Sequence, residues 1–309
     1  MGVARVLRIG TRGSPLALAQ ARLVQAALAA ADPAFGAPDA VETVVIRTTG
    51  DAVLDRPLAE IGGKGLFTKE IDEALLDGRI DLAVHSMKDV PTVLPDGIVI
   101  AAMPERADVR DVLLARGARR LAELPQGCVV GTASLRRAAQ VRAVRPDLTV
   151  VPLRGNVQTR LGKLERGEVD ATLLAAAGLA RLGLGTAGGT PLEPDEMLPA
   201  VAQGAIGIAC RAADTAVRAA LAPLAHAPTL SCVTAERALL AALDGNCRTP
   251  IAALARLAPD GLALEGLLAA PDGSRVARVT RHGAEAEGER LGREAGRELL
   301  RAGQGWAAG

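Results

Sequence analysis

Short apolar runs alternate along the chain with stretches whose apolar positions recur every three or four residues. Val6 to Ile9, Val41 to Ile46, Ile80 to Val84 and Ile98 to Ala101 read as strands, and helices are predicted from Pro15 and from Thr68. After Met103-Pro104-Glu105 the alternation restarts. Strands are predicted over Val109 to Leu114, Cys128 to Val130, Thr149 to Val151 and Ala171 to Leu174, with helices from Ser134 and Val157. Such alternation builds layered α/β structure, so two α/β domains are predicted. Thr186 to Pro199, rich in Gly and Pro, reads as a connection and leads to the apolar run Ala205 to Ala209. From Leu230 a helix runs into a Gly-Asn-Cys turn. Strands follow over Ile251 to Leu257, Leu262 to Leu268 and Arg275 to Thr280, then a charged helix from Glu285, which together predict a third, α+β domain.

A chain of 309 residues with 49% hydrophobic content can bury more than one core. Aromatic residues make up only 1%, so those cores rest on Ala, Leu, Val and Ile, and surfaces for stacking nucleic-acid bases are scarce. The net charge is +1 with both signs interspersed, which argues against a nucleic-acid or membrane-surface partner, since either needs a basic stripe. Any anion site must therefore be local. All but four of the 36 basic residues are Arg. The four cysteines are far apart and never form C-x-x-C, so neither a metal site nor a redox pair is signalled, and a reduced, cytoplasmic protein is expected. The N-terminus has no signal-peptide core, and no run is long enough to span a bilayer.

Two segments match each other: Ile9-Gly-Thr-Arg-Gly-Ser-Pro-Leu-Ala-Leu-Ala-Gln20-Ala-Arg22 and Val130-Gly-Thr-Ala-Ser-Leu-Arg-Arg-Ala-Ala-Gln140-Val-Arg142. Each places a strand end, a tight turn and a Ser helix cap in succession, which leaves backbone N–H groups at a helix start where anions bind. Arg136 and Arg137 fall in the first helical turn, where the helix dipole disfavours a cation, so something negative should compensate them. Arg12 stands before the Ser14-Pro15 cap, and Arg154-Gly155-Asn156 opens another strand-to-helix turn. Arginines at three such turns favour a carboxylate or phosphate ligand over solvated surface charges.

His85-Ser-Met-Lys-Asp-Val-Pro91 lies at the C-terminal end of an apolar strand, the side where open α/β sheets bind ligands. Asp89 is the acid of interest there, and on spacing alone it is equally a turn residue ahead of Pro91. Lys88 reads either as a surface charge or as an ion-pair partner. Gly62-Gly-Lys-Gly-Leu-Phe67 lacks the phosphate-loop spacing, and Gly50 to Gly65 reads as a lid carrying Lys64 or as an ordinary surface loop. Cys128, Cys210 and Cys232 are expected to be buried and inert. Cys247 sits in an exposed turn beside Arg248, which favours its thiolate.

Taken together, Gly10 to Gln20, Gly62 to Phe67, His85 to Pro91, Gly131-Thr-Ala-Ser-Leu-Arg-Arg137, Arg154-Gly-Asn-Val-Gln-Thr-Arg160 and Gln203-Gly-Ala-Ile-Gly207 resemble the porphobilinogen deaminase family, in order and spacing, from about Arg8 to beyond Pro250. The resemblance implies two α/β domains akin to type II periplasmic binding proteins around a cleft, plus a small α+β domain. Residues 1–104 with 200–221 would form the first, 105–199 the second and 222–309 the third. It implies a monomeric transferase that joins four porphobilinogens head to tail with loss of ammonia and releases hydroxymethylbilane. Cys247 would hold a dipyrromethane cofactor through a thioether, and Asp89 would be the catalytic carboxylate. Lys88, Thr132, Ser134, Arg136, Arg137 and Arg160 match cofactor-binding positions, and Arg12, Ser14, Lys64, Ser86 and Arg154 match substrate-binding ones. Two departures stand out: the cofactor loop reads Gly-Asn-Cys-Arg-Thr-Pro where Gly-Cys-Gln-Val-Pro is frequent, and Ala202 replaces a common Gly. A noncatalytic polycarboxylate-binding module on the same scaffold is the alternative, and it would carry no covalent adduct.

Overall fold

The computed structural model describes residues 6–52, 65–243, 250–304 and 306. By its internal contacts the chain divides into two compact units. One comprises the described residues of Met1–Arg56 and Gly62–Arg106 together with Ala205–Leu230; the other comprises those of Ala107–Gly204 and Ser231–Gly309.

The first unit is built on a five-stranded sheet of β1 (Leu7–Arg12), β2 (Val41–Ile46), β3 (Leu82–Ser86), β4 (Ile98–Ala102) and β10 (Ile206–Arg211). Its order is β2-β1-β3-β10-β4. β1 runs parallel to β2 and β3, whereas β10, arriving from a distant part of the chain, is antiparallel to β3 and β4. Strand alternation sends successive residues to opposite faces. Leu82, Val84 and Ile208 thus join a core with Val24 and Leu28 of helix α1 (Pro15–Ala31), while Ala83 and Ala209 join Ile71 and Leu75 of α2 (Lys69–Leu76) on the other.

The second unit repeats this winding. Its sheet contains β5 (Asp111–Ala115), β6 (Val129–Gly131), β7 (Thr149–Val151), β8 (Ala171–Ala175) and β9 (Thr190–Leu192), in the order β7-β6-β8-β5-β9. β6 is parallel to β7 and β8, and β5 is antiparallel to β8. Helices α3 (Leu135–Val144) and α4 (Val157–Glu165) cover opposite faces, Val141 packing with Leu113 and Leu173 and Leu161 with Val112 and Leu174. The two self-similar segments therefore occupy the same place: first parallel strand, turn, Ser cap and helix. In the same unit an antiparallel meander, β11 (Ile251–Ala258), β12 (Gly261–Ala269) and β13 (Val276–Gly283), is covered by helix Gly288–Ala302 and packs Leu254 and Leu267 against Ala139 of α3.

Several predicted boundaries move. The expected connection Thr186 to Pro199 contains β9, whose three residues carry too little pattern to be read. β3 runs two residues beyond Val84, so His85 and Ser86 are strand residues, and β1 runs on to Arg12. The helix expected from Leu230 begins at Ala227, and the one from Glu285 opens as a 3-10 turn before Gly288.

Candidate functional site

In the first unit the predicted residues collect at the C-terminal ends of β1 and β3. Arg12 closes β1; Ser14 caps α1 by accepting the Ala17 N–H at 3.3 Å. The pairing of Gly10 with Ala83 brings Arg12 beside the end of β3, where Ser86 exchanges hydrogen bonds with Gln20 of α1 at 2.8 and 3.3 Å. After Ser86 the chain makes one 3-10 turn, Met87–Asp89. Met87 is buried and anchors that turn, while Lys88 and Asp89 project outward. Gly207 makes this anchorage possible, since a Cβ on it would overlap Met87 Sδ. Arg12, Ser14, Gln20, Phe67, Ser86 and Asp89 line one opening. Within it the Arg12 guanidinium lies 4.0 Å above the Phe67 ring, a cation–π contact that holds the charge in place. Burial, with the Arg12 charge second, pushes His85 down to about 4, so it is a neutral ring at ordinary pH and a weak proton acceptor.

In the second unit the anion-site features also meet at the C-terminal ends of the parallel strands. Thr132 and Ser134 follow β6; the Thr132 hydroxyl accepts the Ser134 N–H at 3.1 Å, and Ser134 Oγ accepts the Arg137 N–H at 3.4 Å. Arg154 precedes the Asn156 cap of α4, whose side chain accepts the Thr159 N–H at 2.9 Å. Arg160, one turn into α4, donates Nε to the Gly155 carbonyl at 2.8 Å. Burial, then repulsion from Arg137 and Arg154, pushes Arg160 down to about 10. Two neighbouring guanidinium groups thus add to the cost of keeping Arg160 charged.

The negative partner expected for Arg136 and Arg137 is Asp111, the first residue of β5. Antiparallel pairing sets it opposite Ala175, the last residue of β8, at the same end of the sheet as the arginines. Asp111 is fully buried; Arg136 Nη1 lies 2.8 Å from one carboxylate oxygen and Arg137 Nη2 2.7 Å from the other. Gln203 donates to the same group at 2.9 Å. Burial alone would raise this carboxyl, but the two arginine charges and their hydrogen bonds outweigh it and hold it far below the ordinary range. Arg136 and Arg137 also donate to the Leu198 and Leu173 carbonyls, both at 2.8 Å. Even so, Arg136 Nε is buried without a hydrogen-bond partner. Sequence reasoning gave Asp111 and Gln203 no role. An acid at the head of an otherwise apolar strand was the available signal for Asp111; Gln203 stood within a quoted motif. Lys64 and Cys247 lie outside the described residues.

Two five-stranded sheets of matching order, each holding one strand antiparallel to its neighbours, define the class of this chain as a duplicated α/β fold. Among solved structures it is similar to an ABC-transporter periplasmic substrate-binding protein from Coxiella burnetii (16% identity, TM-score 0.41, 73% of this chain and 94% of that one). It is also similar to a periplasmic binding protein of Salmonella typhimurium (14% identity, TM-score 0.41, 72% and 92%).

The chain belongs to the porphobilinogen deaminase family. The model of that family's dipyrromethane cofactor binding domain matches residues 7–219, and the model of its C-terminal domain matches residues 230–301. The chain is 56% identical to the chloroplastic porphobilinogen deaminase of Oryza sativa, over 97% of this chain and 85% of that protein. It is 55% identical to the porphobilinogen deaminase of Paracoccus denitrificans, over 95% and 93%.

Proposed function

We propose that the chain joins four porphobilinogens head to tail with loss of ammonia and releases hydroxymethylbilane, with the sites of its two units dividing the work. The cluster of Arg137, Arg154 and Arg160, in which burial and mutual repulsion depress Arg160, carries the reading. Such a cluster suits a ligand bearing several carboxylates, because each bound carboxylate relieves repulsion that the empty site must bear. Dipyrromethane carries acetate and propionate groups, and the donor set fits them: Thr132, Ser134, Arg136, Arg137 and Arg160 would hold it, and Lys88 is proposed as a further cofactor-binding residue. When bound, the cofactor supplies a free pyrrole α-carbon as the nucleophile. Cys247 would be its attachment point.

Arg12, Ser14, Ser86, Arg154 and Lys64 are assigned to substrate carboxylates. Asp89, exposed on a turn anchored by buried Met87, is the catalytic carboxylate. It stabilises the positive charge that develops on a pyrrole as ammonia departs, without needing to take up a proton. His85 is held neutral below it, so it adds no competing cation. The chain works as a cytoplasmic monomer that needs no nucleic acid or membrane. No described helix is long and apolar enough to cross a membrane. Relatives above 50% identity along the whole chain speak against the noncatalytic polycarboxylate-binding alternative.

Intact-mass measurement of the purified protein beside its Cys247→Ser variant tests this reading. Wild type should carry an adduct equal to two porphobilinogen units less their ammonia, and the variant should not. An unadducted wild type, even after incubation with porphobilinogen, would point to the binding module instead.

A further inference from the structure

We propose that Asp111 is a positioning residue of this cofactor site: it divides its two carboxylate oxygens between Arg136 and Arg137 and so sets where both guanidinium groups stand. The inference rests on the function proposed above.

The geometry is specific. Arg137 turns its Nε and Nη2 side to a single Asp111 oxygen, at 3.2 and 2.7 Å, and its Nη1 to the Leu173 carbonyl. Arg136 Nη1 lies 2.8 Å from the other oxygen as an ion pair without hydrogen-bond geometry, and the same nitrogen donates to Leu198. Arg137 is therefore committed to the protein through all three nitrogens. Arg136 is gripped by one nitrogen, and its Nε has no protein acceptor. Both arginines and Asp111 are more than nine-tenths buried, so water cannot take over either role. Gln203 extends the unit: its Nε2 donates to the same oxygen as Arg137 and to the Val109 carbonyl at 2.8 Å, tying the carboxylate to the backbone just before β5.

The charge balance explains why a single acid stands there. One carboxylate facing two guanidinium groups leaves an excess positive charge, enough to fix the arginines without cancelling their attraction for an anionic ligand. A second acid would neutralise the pair; no acid would leave two like charges buried side by side in the first turn of a helix. Asp111 acts through the arginines, and the proposal gives it no contact with the ligand.

The test compares Asp111→Asn with the double variant Asp111→Asn/Arg137→Gln. The double variant removes one positive and one negative charge together and so preserves the net charge of the site. Each protein is prepared free of cofactor; its thermal midpoint is recorded, and cofactor acquisition from added porphobilinogen is followed by intact mass. Asp111→Asn should melt lower and load on the order of tenfold more slowly or worse, because its arginines are misplaced. The double variant should recover most of the thermal midpoint and remain slow to load, because Arg137 is lost and Arg136 still lacks its anchor. Loading that recovers in step with the midpoint, or Asp111→Asn loading at the wild-type rate, would overturn the proposal and leave Asp111 a purely structural counter-charge. A wild type that never acquires the adduct would instead remove the function on which the inference rests.

Discussion

Asp89 is chemically ordinary, and its importance lies in where the chain holds it. It ends a single helical turn whose first residue, Met87, is buried beside the bare backbone of Gly207. A carboxylate about 4 Å from a developing cation, at an effective dielectric near 20, is worth about 4 kcal/mol, or roughly a thousandfold in rate. Asp89→Asn should therefore lower kcat by about that factor with the thermal midpoint unchanged, since the side chain is exposed and removes no packing. Retention of more than about a tenth of the activity would exclude this role. Two buried groups in the same unit set opposing pH dependences. His85, held at about 4 against an ordinary 6.5, is protonated first in the unfolded chain, so its contribution to stability falls as pH drops through that window. Asp72, raised to about 6 chiefly by burial, keeps its proton longer in the folded state, so stability falls as pH rises from its ordinary 3.8 to about 6. Asp72→Asn should accordingly raise the thermal midpoint near neutral pH and leave it little changed at about pH 4, as melts across that range will show.

At the level of elements, the departure at Ala202 acquires a physical meaning. Ala202 lies in left-handed backbone, φ 59°, fully buried, with its N–H donated to Glu236 at 2.6 Å. Glu236 accepts from the Ala255 N–H at 2.8 Å with its other oxygen, which ties the segment before Gln203 to β11. The hydrogen bond holds Ala202 where a Cβ is disfavoured by about 1–2 kcal/mol. Ala202→Gly should relieve that strain, less the entropy a glycine adds to the unfolded chain, for a net gain of a few tenths to about 1 kcal/mol in denaturant unfolding. A loss of stability would show that the alanine methyl contributes more through packing than the backbone costs. The strands and helices themselves were largely legible: β11, β12 and β13 were read within a few residues, because alternation and turn residues are local signals. β9 was not, since three residues hold less than two periods of any pattern.

On the scale of the whole molecule, near-zero net charge coexists with a strongly uneven distribution. The chain totals +1, yet Arg136, Arg137, Arg154 and Arg160 gather at one end of one sheet, where Asp111 is buried among them. Cofactor-free protein should therefore be limited by repulsion at that site. Melts of the Cys247→Ser variant should rise when sodium chloride screens the repulsion, and rise further at equal ionic strength when a small polycarboxylate such as citrate is added. An equal response to both salts would show that the cluster does not discriminate carboxylates.

The sequence by itself determined most of the elements, the repeated strand–turn–cap–helix segment, the arginines at its turns and the family, since each is carried by residues close together in the chain. It could not determine that Asp111 answers Arg136 and Arg137 or that Gln203 steadies it. Those partners lie 25, 26 and 92 positions away, and only antiparallel pairing of β5 with β8 brings them to one end of a sheet. Nor could it show His85 as a neutral, buried ring, because the burial that lowers its pKa comes from packing around β3. Local patterns fix where helices and strands begin and end. Charge partners and proton affinities depend on what the fold places beside each group, and on how much water it removes.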